Sequence, residues 1–406
     1  MSNTVPDSKR VVLGLGGTVD YEIVWDSSTI ERLVSEYSVK ASELDASRPI
    51  RTERDLLVTL LAFVRDGVGG ERFVASSDIV EAFSSRFVSR TTLGGTCVRA
   101  AIAMKTLGID STVHLVSIDN TVRELLPEGV DYVSSAVEDT LDPHLIVQFA
   151  AGASVRSGDI DISSPHPNRI IYANDPPNRE LVLSDDLGPA LASAEVFMFA
   201  GFNVIQEPGV LEQRLQSIRR HMNHLPSTAL VFYEDAGYHI PELSRTVREQ
   251  IIDLVDVYSL NEDEMQSYLG RSVDLLNAEE LLPALEELHE LIPAMVLVIH
   301  TKYWSLALGH RAAEFRRALW SGIVMASTRY TFGDGFTDGD FREVSGYPRN
   351  PAGADAARGL VEVLGSRVSI ELALELTTPT PTTIGLGDTF VGGFVAALAI
   401  DGAPRG

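Results

Sequence analysis

A glycine-rich stretch near the end of the chain, with one aspartate, is the pattern that most strongly suggests chemistry. Gly385, Leu386, Gly387 and Asp388 precede an apolar run, Phe390–Ile400, that is long enough for about three helical turns. The glycines permit a tight turn, and the free N–H groups at the start of the following helix favour an anion. A carboxylate beside a bound phosphate can take a proton from an attacking hydroxyl. The stretch therefore predicts a phosphoryl-transfer centre with Asp388 as the base.

The elements that must position this stretch are predicted from the hydrophobic pattern. Residues 28–90 are typical of helices, and after about residue 195 apolar strands alternate with amphipathic helices. That alternation implies parallel βαβ units, whose ligands lie at the carboxyl ends of the strands. We expect a set of polar residues at strand ends or turns to converge there: Asp20, Glu234, Asn261, His300 and Asp388.

The segment Asn261-Glu262-Asp263-Glu264 has two interpretations. It follows a predicted strand and opens a predicted helix, so Asn261 is a candidate N-cap, and acidic residues are common in a first helical turn. Alternatively, Asn261 and Glu264 hold a hydrated magnesium ion directly or through water, because Mg²⁺ retains several of its waters in proteins. Both interpretations stay open at the level of the sequence.

Other polar or glycine-rich positions also allow a structural or a binding role. Asp20 follows a short apolar strand and either holds substrate hydroxyls or caps a turn. Gly94 and Gly95 precede a helix of small residues and allow close approach of a ligand or of backbone. His144 begins a strand, where a lone histidine is more often structural. The acidic loop Asp334–Asp340 lacks the spacing of a calcium loop and is predicted to be a solvated turn.

Composition excludes several classes of protein. The chain has 406 residues, a net charge of −24 and a pI of about 4.7, which argues against a nucleic-acid binder that neutralises phosphates. The single cysteine, Cys97, excludes an intramolecular disulfide and a cysteine-rich zinc site. No apolar signal region and no run of about eighteen apolar residues is present. We expect a soluble cytoplasmic protein, monomeric or a small homo-oligomer, with no membrane or nucleic-acid partner.

From about Val11 to Ala399 the chain resembles the ADP-dependent sugar kinases, the glucokinase and phosphofructokinase group of the ribokinase-like superfamily. The motifs that carry the resemblance are Gly94-Gly95, His144-Leu-Ile-Val-Gln-Phe149, Asn174-Asp175-Pro176, Tyr233-Glu234-Asp235-Ala236, Asn261-Glu-Asp-Glu264, His300-Thr-Lys302-Tyr303 and Gly385-Leu-Gly-Asp388. The resemblance implies an α/β fold: a ribokinase-like large domain with a central, mostly parallel sheet flanked by helices, and a smaller α/β lid domain. The large domain is expected at residues 1–20, 95–128 and 195–406, and the lid at 21–94 and 129–194.

The same resemblance implies Mg²⁺-dependent transfer of the β-phosphoryl group of ADP to a hydroxyl of glucose or fructose 6-phosphate, with release of AMP. Asp388 matches the catalytic base, and Gly385, Leu386 and Gly387 match the anion hole. The positions that match the magnesium site are Glu264, Asn261 and Glu234. The positions that match the substrate site are Asp20, Gly94, Gly95, Thr96, His144, Asn174 and Arg179.

Three departures from the family pattern lie on the substrate side. Thr18 stands in place of an asparagine, Thr96 in place of asparagine or glutamine, and Gln148 in place of a glutamate. The sequence therefore does not decide whether the acceptor is glucose or fructose 6-phosphate. An ATP-dependent ribokinase-like carbohydrate kinase and a non-catalytic sugar- or nucleotide-binding regulator are the alternative functions. A phosphorylated acceptor needs cationic groups in the lid region, for which the candidates are Arg156, Arg169 and Arg179.

Overall fold

A computed structural model describes residues 10–378 and 381–401 of the chain. The strands in these ranges are β1 (Val11–Gly14), β2 (Thr18–Ile23), β3 (Gly70–Phe73), β4 (Ser89–Gly94), β5 (Ser111–Leu115), β6 (Val130–Ser134), β7 (His144–Phe149), β8 (Ser154–Ser157), β9 (Ile160–Ser163), β10 (Asn168–Ala173), β11 (Val196–Phe199), β12 (Leu230–Glu234), β13 (Val257–Asn261), β14 (Val296–His300), β15 (Trp304–Gly309) and β16 (Val368–Leu372).

The α-helices in the same ranges are α1 (Ser27–Glu36), α2 (Glu53–Asp66), α3 (Ser77–Ser84), α4 (Thr96–Thr106), α5 (Asn120–Leu125), α6 (Pro176–Glu180), α7 (Leu187–Leu191), α8 (Pro208–Met222), α9 (Pro241–Ile251), α10 (Glu262–Leu269), α11 (Ala278–Leu291), α12 (Arg316–Phe332), α13 (Asp338–Val344), α14 (Ala354–Leu364) and α15 (Leu386–Asp401). None of these described helices is long and apolar enough to cross a bilayer.

The larger sheet of the described structure has nine strands in the order β16-β15-β14-β13-β12-β11-β1-β5-β6. Its pairs are parallel except for the two antiparallel pairs that involve β15. Helices cover both faces, with α4, α12 and α15 on one side and α8 to α11 and α14 on the other. Burial on both faces explains why its strands are nearly continuous apolar runs. The predicted α/β architecture with a mostly parallel central sheet is confirmed.

The smaller sheet joins five strands of the described ranges in the order β3-β10-β7-β2-β4, and β8 and β9 form a separate hairpin. One face of this sheet packs against α1, α2 and α3 in a core of its own. Tyr172 of β10 is fully buried there, with its hydroxyl 3.0 Å from that of Thr59. The opposite face turns towards the carboxyl ends of the larger sheet, where it forms one wall of a cleft.

The boundary between the sheets differs from the prediction in two places. β6 pairs in parallel with β5, so it belongs to the larger sheet although the predicted lid includes residues 129–194. β2 begins at Thr18 and pairs with β4 and β7, so the predicted boundary at residue 20 falls inside a strand. Both differences arise because sheet membership depends on which strands meet, and a short strand does not specify its partner by its own sequence.

One strand, β3, lies within the region 28–90 that is predicted to be helical, and a second, β4, begins at its end. α1, α2 and α3 form there as expected, but β3 and β4 lie between and after them. β3 has the sequence Gly-Glu-Arg-Phe and is largely exposed, so it shows no apolar alternation. It is a strand because β10 provides its backbone hydrogen-bond partners. The propensity of such a segment is decided by its tertiary neighbours.

The prediction of a solvated turn for Asp334–Asp340 is wrong at both ends. The side chain of Asp334 is only 24% exposed and forms ion pairs with Arg90, Arg99 and Arg329. The following residues begin α13, where Thr337 and Asp340 form a capping box. A short acidic, glycine-rich loop does not reveal that three arginines from distant elements converge on it.

His114 of β5 predicts an acid sensitivity of the larger domain. Its ring is fully buried, and its Nε2 accepts a hydrogen bond from the backbone N–H of Ser184 at 2.9 Å. Burial, with a smaller contribution from His221, lowers the pKa of His114 from 6.5 to about 4. Between those values the unfolded chain binds a proton that the folded chain does not, so stability is lost as pH falls from 6.5 towards 4.

Urea unfolding at a series of pH values tests this expectation. His114→Gln keeps an acceptor for the Ser184 N–H but cannot titrate. The free energy of unfolding of the wild type should therefore fall more steeply with decreasing pH than that of the variant, by up to about 1.4 kcal/mol per pH unit. Parallel pH profiles for the two proteins would contradict the assignment.

Candidate active site

A cleft of about 1090 Å³ separates the strand ends of the larger sheet from the open face of the smaller one. The five polar residues that were expected to converge all line it. Glu234, Asn261 and His300 occupy the last positions of the neighbouring strands β12, β13 and β14. Asp20 comes from β2, and Asp388 comes from the first turn of α15. The convergence follows from the parallel order of the strands.

The glycine-rich stretch forms a tight turn and the start of α15. Gly385 has φ +64°, and a Cβ on it would lie 2.8 Å from Cδ of Arg99, so only glycine fits. The N–H and the hydroxyl of Thr389 donate to the Gly385 carbonyl at 3.0 and 2.7 Å. The Ile384 carbonyl accepts from Nε of Arg329 at 2.7 Å. These bonds fix the N-terminus of α15 at the edge of the cleft, where its N–H groups favour an anion.

Asp388 projects from that helix start between two groups of α4. Its Oδ1 accepts a hydrogen bond from Oγ1 of Thr96 at 2.8 Å, and its Oδ2 lies 3.9 Å from Nε of Arg99. The carboxylate is one quarter exposed, at 25%, so it remains accessible from the cleft. Thr96, which the family resemblance places among the substrate contacts, therefore orients the predicted base in this structure.

Arg99 is the main residue of the site that sequence reasoning missed. Its side chain is 5% exposed, and its Nη2 donates to Oδ2 of Asp20 at 2.8 Å. Burial opposes its charge, but Asp20 and Asp388 outweigh burial and raise the pKa of Arg99. The sequence does hold a signal, because Arg99 interrupts the small and apolar residues of α4. A buried arginine requires acidic partners.

Asp20 lies inside β2 rather than at a turn, which removes the capping interpretation. Its second oxygen accepts from Oγ1 of Thr18 at 2.7 Å. Gly94 does not line the cleft, but a Cβ on it would lie 2.3 Å from Oδ2 of Asp20, so it provides room for that carboxylate. Gly95 has φ +85° and is the N-cap of α4. The glycine pair thus shapes the site through steric space and backbone geometry.

His144 is paired rather than isolated. Its Nε2 lies 2.9 Å from Oδ2 of Asp175, which also caps α6 through the backbone N–H of Asn178. Burial opposes protonation, but the hydrogen bond and charge of Asp175, with Asp20 and Glu71, outweigh it and raise the pKa of His144. His144 is therefore suited to donate a hydrogen bond or a positive charge to a ligand in the cleft.

Asn174 does not occupy the position predicted for it. The neighbours of Asn174, Ala173 and Asp175, line the cleft, whereas Asn174 itself does not. Its Oδ1 accepts a hydrogen bond from Nη2 of Arg179 at 3.2 Å. Arg179 does line the cleft, so Asn174 supports a cleft residue without reaching the cleft. The turn into α6 decides which of these adjacent residues faces inward.

An acidic group lies beside the start of α15, at the ends of β12 and β13. Asn261 and Glu264 form a capping box, in which Nδ2 and the backbone N–H of Asn261 donate to the Glu264 carboxylate at 2.8 and 2.7 Å. Burial, together with the nearby charges of Glu234 and Asp235, raises the pKa of Glu264 to about 8. Oε1 of Glu234 lies 2.9 Å from Nε2 of His300. Because clustered carboxylates repel one another, this group favours the binding of a proton or a cation.

The donor set of this acidic group fits a hydrated divalent cation. Oε2 of Glu234 is buried and has no hydrogen-bond partner among the described residues. In the described part of the chain, no three His, Cys, Asp or Glu side chains are grouped closely enough to enclose an ion. Mg²⁺ bound with most of its waters needs only a few protein oxygens and the phosphates of a nucleotide. Glu234, Glu264 and Asn261 could hold such an ion through water.

Two arginines at the cleft, one on β10 and one on α6, have no carboxylate within ion-pair distance among the described residues. Arg169 and Arg179 line the cleft, and neither forms an ion pair with a carboxylate of the described residues. Nη1 of Arg169 donates to the Thr383 carbonyl at 3.4 Å, which places it close to the glycine-rich turn. Arg156 is 75% exposed, pairs with Asp161 and does not line the cleft. The three arginine candidates thus reduce to two.

The chain is similar to known proteins in its sequence and in its fold. A family model described as the ADP-specific phosphofructokinase/glucokinase conserved region matches residues 9–310. No curated protein matches the sequence. A phosphofructokinase from Pyrococcus horikoshii OT3 with AMP is similar at a TM-score of 0.78 and 18% identity, covering 98% of this chain and 99% of that one. A hypothetical ADP-dependent phosphofructokinase from the same organism has a TM-score of 0.76 at 18% identity and the same coverage.

An ADP-dependent kinase in complex with fructose 6-phosphate and ADPβS is also similar, with a TM-score of 0.73 and 15% identity over 98% of this chain and 96% of that one. Similarity at these identities reflects a shared fold. The family match covers most of the chain, including the strand ends and the glycine pair of the cleft. The chain therefore belongs to the ADP-specific phosphofructokinase/glucokinase family.

Proposed function

We propose that this enzyme transfers the β-phosphoryl group of ADP to a hydroxyl of fructose 6-phosphate with Mg²⁺ and releases AMP. One arrangement carries the proposal: Asp388 at the N-terminus of α15 shares a cleft with Arg169 and Arg179, which have no carboxylate partner in the described chain. Family membership supports ADP as the donor. The similar kinase that is described with fructose 6-phosphate and ADPβS supports the pair of substrates.

The reaction follows from the placement of Asp388. The acceptor hydroxyl attacks the β-phosphorus, the bond from that phosphorus to the bridging oxygen breaks, and AMP leaves with the electron pair. Asp388 accepts the proton of the attacking hydroxyl. The N–H groups at Gly385 to Gly387 stabilise the negative charge on the transferred group. Mg²⁺, when bound near Glu234, Asn261 and Glu264, would neutralise phosphate charge.

The residues that face the acceptor favour a phosphorylated sugar. Asp20, held by Thr18 and Arg99, offers carboxyl oxygens as acceptors for sugar hydroxyls, and His144 offers a donor. Arg169 and Arg179 form no ion pair among the described residues, although the charge of Glu71 acts on Arg169, and a neutral sugar would add no anion to balance them. Gln148 lies opposite Arg169 in the register of β7 and β10, so no carboxylate competes there for this arginine. A bound phosphate would provide the missing anion.

An assay of AMP release tests the proposal. The enzyme is mixed with Mg²⁺ and either ADP or ATP, and with fructose 6-phosphate, fructose, glucose or glucose 6-phosphate as the acceptor. We expect AMP release with ADP and fructose 6-phosphate, and loss of activity when EDTA removes the metal. Turnover with ATP but not ADP would overturn the donor assignment. A preference for free glucose would overturn the acceptor assignment.

Substitution of the two arginines gives a specific prediction. Arg169→Gln and Arg179→Gln should each raise KM for fructose 6-phosphate by about 10- to 100-fold, because hydrogen bonds to charged groups contribute roughly 1.5–3 kcal/mol. Steady-state kinetics with ADP in excess measures this effect. Arg156→Gln is the matched control, since Arg156 lies on the same domain but outside the cleft. Equal KM values for all three variants and the wild type would contradict the assignment.

A further inference from the structure

A cluster of charged side chains lies beside the cleft, around the carboxylate of Asp334. It contains three arginines, which we call the arginine cluster: Arg90, Arg99 and Arg329. Asp334 forms ion pairs with Arg90 and Arg329, and its Oδ1 lies 3.8 Å from Nη1 of Arg99. Asp334 itself does not line the cleft. A role in the reaction would therefore have to be transmitted through the arginines.

The arginine cluster joins three parts of the molecule. Arg90 lies on β4 of the smaller sheet and also pairs with Glu22 of β2. Arg99 lies on α4, and Arg329 lies near the end of α12. Asp334 follows α12 in a 3₁₀ turn, Gly333–Gly335. One carboxylate of the larger domain thus contacts cations from both of the domains that bound the cleft.

Two of these arginines contact the predicted catalytic groups directly. Nε of Arg329 donates to the Ile384 carbonyl at 2.7 Å, immediately before Gly385. Nε of Arg99 lies 3.9 Å from Oδ2 of Asp388, and its Nη2 donates to Asp20 at 2.8 Å. The arginine cluster therefore contacts the backbone of the anion turn, the base and the carboxylate on the acceptor side.

We propose that Asp334 is a positioning residue for phosphoryl transfer, acting through Arg99 and Arg329; this inference rests on the proposed function. The side chains of Arg99 and Arg329 are 5% and 6% exposed, so water does not screen the charge of either guanidinium group. Without Asp334 their like charges repel in a buried site. Nη2 of Arg329 has no hydrogen-bond partner in the described chain, so Asp334 and the Ile384 carbonyl are the acceptors that hold this side chain there. A shift of Arg329 moves the Ile384 carbonyl and the anion turn.

Asp334→Asn tests the proposal, because asparagine keeps the shape and removes the charge. We expect kcat to fall by about 100-fold, the scale of an active-site displacement of about 1 Å, while KM for ADP stays near the wild-type value. Rates are expressed per folded molecule, which is counted by titration with ADP. Asp334→Glu restores the charge and should recover part of the lost kcat. A purely structural role would lower the amount of folded enzyme and leave its kcat unchanged.

Arg329→Lys provides a second test that does not depend on how Asp334→Asn folds. Lysine keeps the positive charge beside Asp334 but loses the Nε donor to the Ile384 carbonyl. The proposal predicts the same selective loss of kcat, and a double variant that loses less than the product of the two single effects. Unchanged kcat in Arg329→Lys, or fully multiplicative losses, would overturn it.

Asp338→Asn is the matched control, because Asp338 lies four residues further along and its one ion pair among the described residues is with Arg342 on the surface. Its kcat should equal that of the wild type, and an equal loss in this variant would overturn the assignment to Asp334. Wild-type enzyme in the same assay separates the two hypotheses. If it releases no AMP, the proposed function fails; if it does and Asp334→Asn retains full kcat, only the positioning role of Asp334 fails.

Discussion

Replacement of Asp388 by asparagine is expected to lower kcat by about three orders of magnitude, within the usual range for loss of general-base catalysis. Asparagine preserves the size of the side chain and can still bond to Thr96, which lies 2.8 Å from Oδ1. It cannot accept the proton of the attacking hydroxyl. Binding of ADP should persist, because the N–H groups of the anion turn and the acidic group around Glu234 and Glu264 are untouched.

Pre-steady-state and steady-state measurements of AMP release give kcat, and the rise in melting temperature with added ADP reports nucleotide binding. A low kcat with a normal ADP-dependent shift is the expected pair of results. If kcat of the variant stays within about tenfold of the wild type, Asp388 is not the base. If the ADP-dependent shift is also lost, the substitution has disturbed the helix N-terminus instead.

Replacement of Arg99 by leucine should destabilise the folded protein by about 3–5 kcal/mol, the scale for removal of one partner from a buried ion pair. Asp20 is 4% exposed and would remain buried without its ion-pair partner, keeping the hydrogen bond from Thr18 and the electrostatic interaction with His144. Asp388 would lose its nearest cation as well. Urea unfolding at neutral pH, followed by circular dichroism, measures the loss.

Two control proteins isolate the cause of this effect. Arg123→Leu removes an arginine whose pair with Asp139 lies on the surface, with side chains 39% and 52% exposed, so it should change stability little. The double variant Asp20→Asn/Arg99→Leu removes the buried charge together with its partner and should regain much of the lost stability. A double variant no more stable than Arg99→Leu would show that packing, rather than an unpaired Asp20, causes the loss.

The three departures from the family pattern have distinct surroundings in the structure. Thr18 donates to Asp20, and Thr96 donates to Asp388, so each hydroxyl orients a carboxylate of the site. Gln148 lies opposite Arg169 in the sheet, so it leaves that arginine without an acidic partner there. The departures therefore change the charge and the hydrogen bonds of the proposed acceptor side. The proposed nucleotide side retains its glycine-rich turn and its Asn261–Glu264 capping box.

Local patterns in the sequence determined the α/β class and the elements that carry the site. Residues 262–269 form a helix capped by Asn261 because the cap and Glu264 are only three positions apart. The run after Asp388 forms a helix because its residues are continuously apolar, and the helix begins earlier than the apolar run, at Leu386. The parallel order of strands then brings Glu234, Asn261 and His300 to one edge.

The tertiary structure alone decided how charge is distributed around those residues. Arg99 and Asp20 are 79 positions apart, and Thr96 and Asp388 are 292 positions apart, so no spacing rule could pair them. Asp334 is predicted to be a solvated turn residue and is instead enclosed by arginines from three elements. Periodicity and capping act over a few residues and are visible in the sequence. Electrostatic pairing in a buried site depends on which helix and sheet faces meet, and only the assembled fold fixes that.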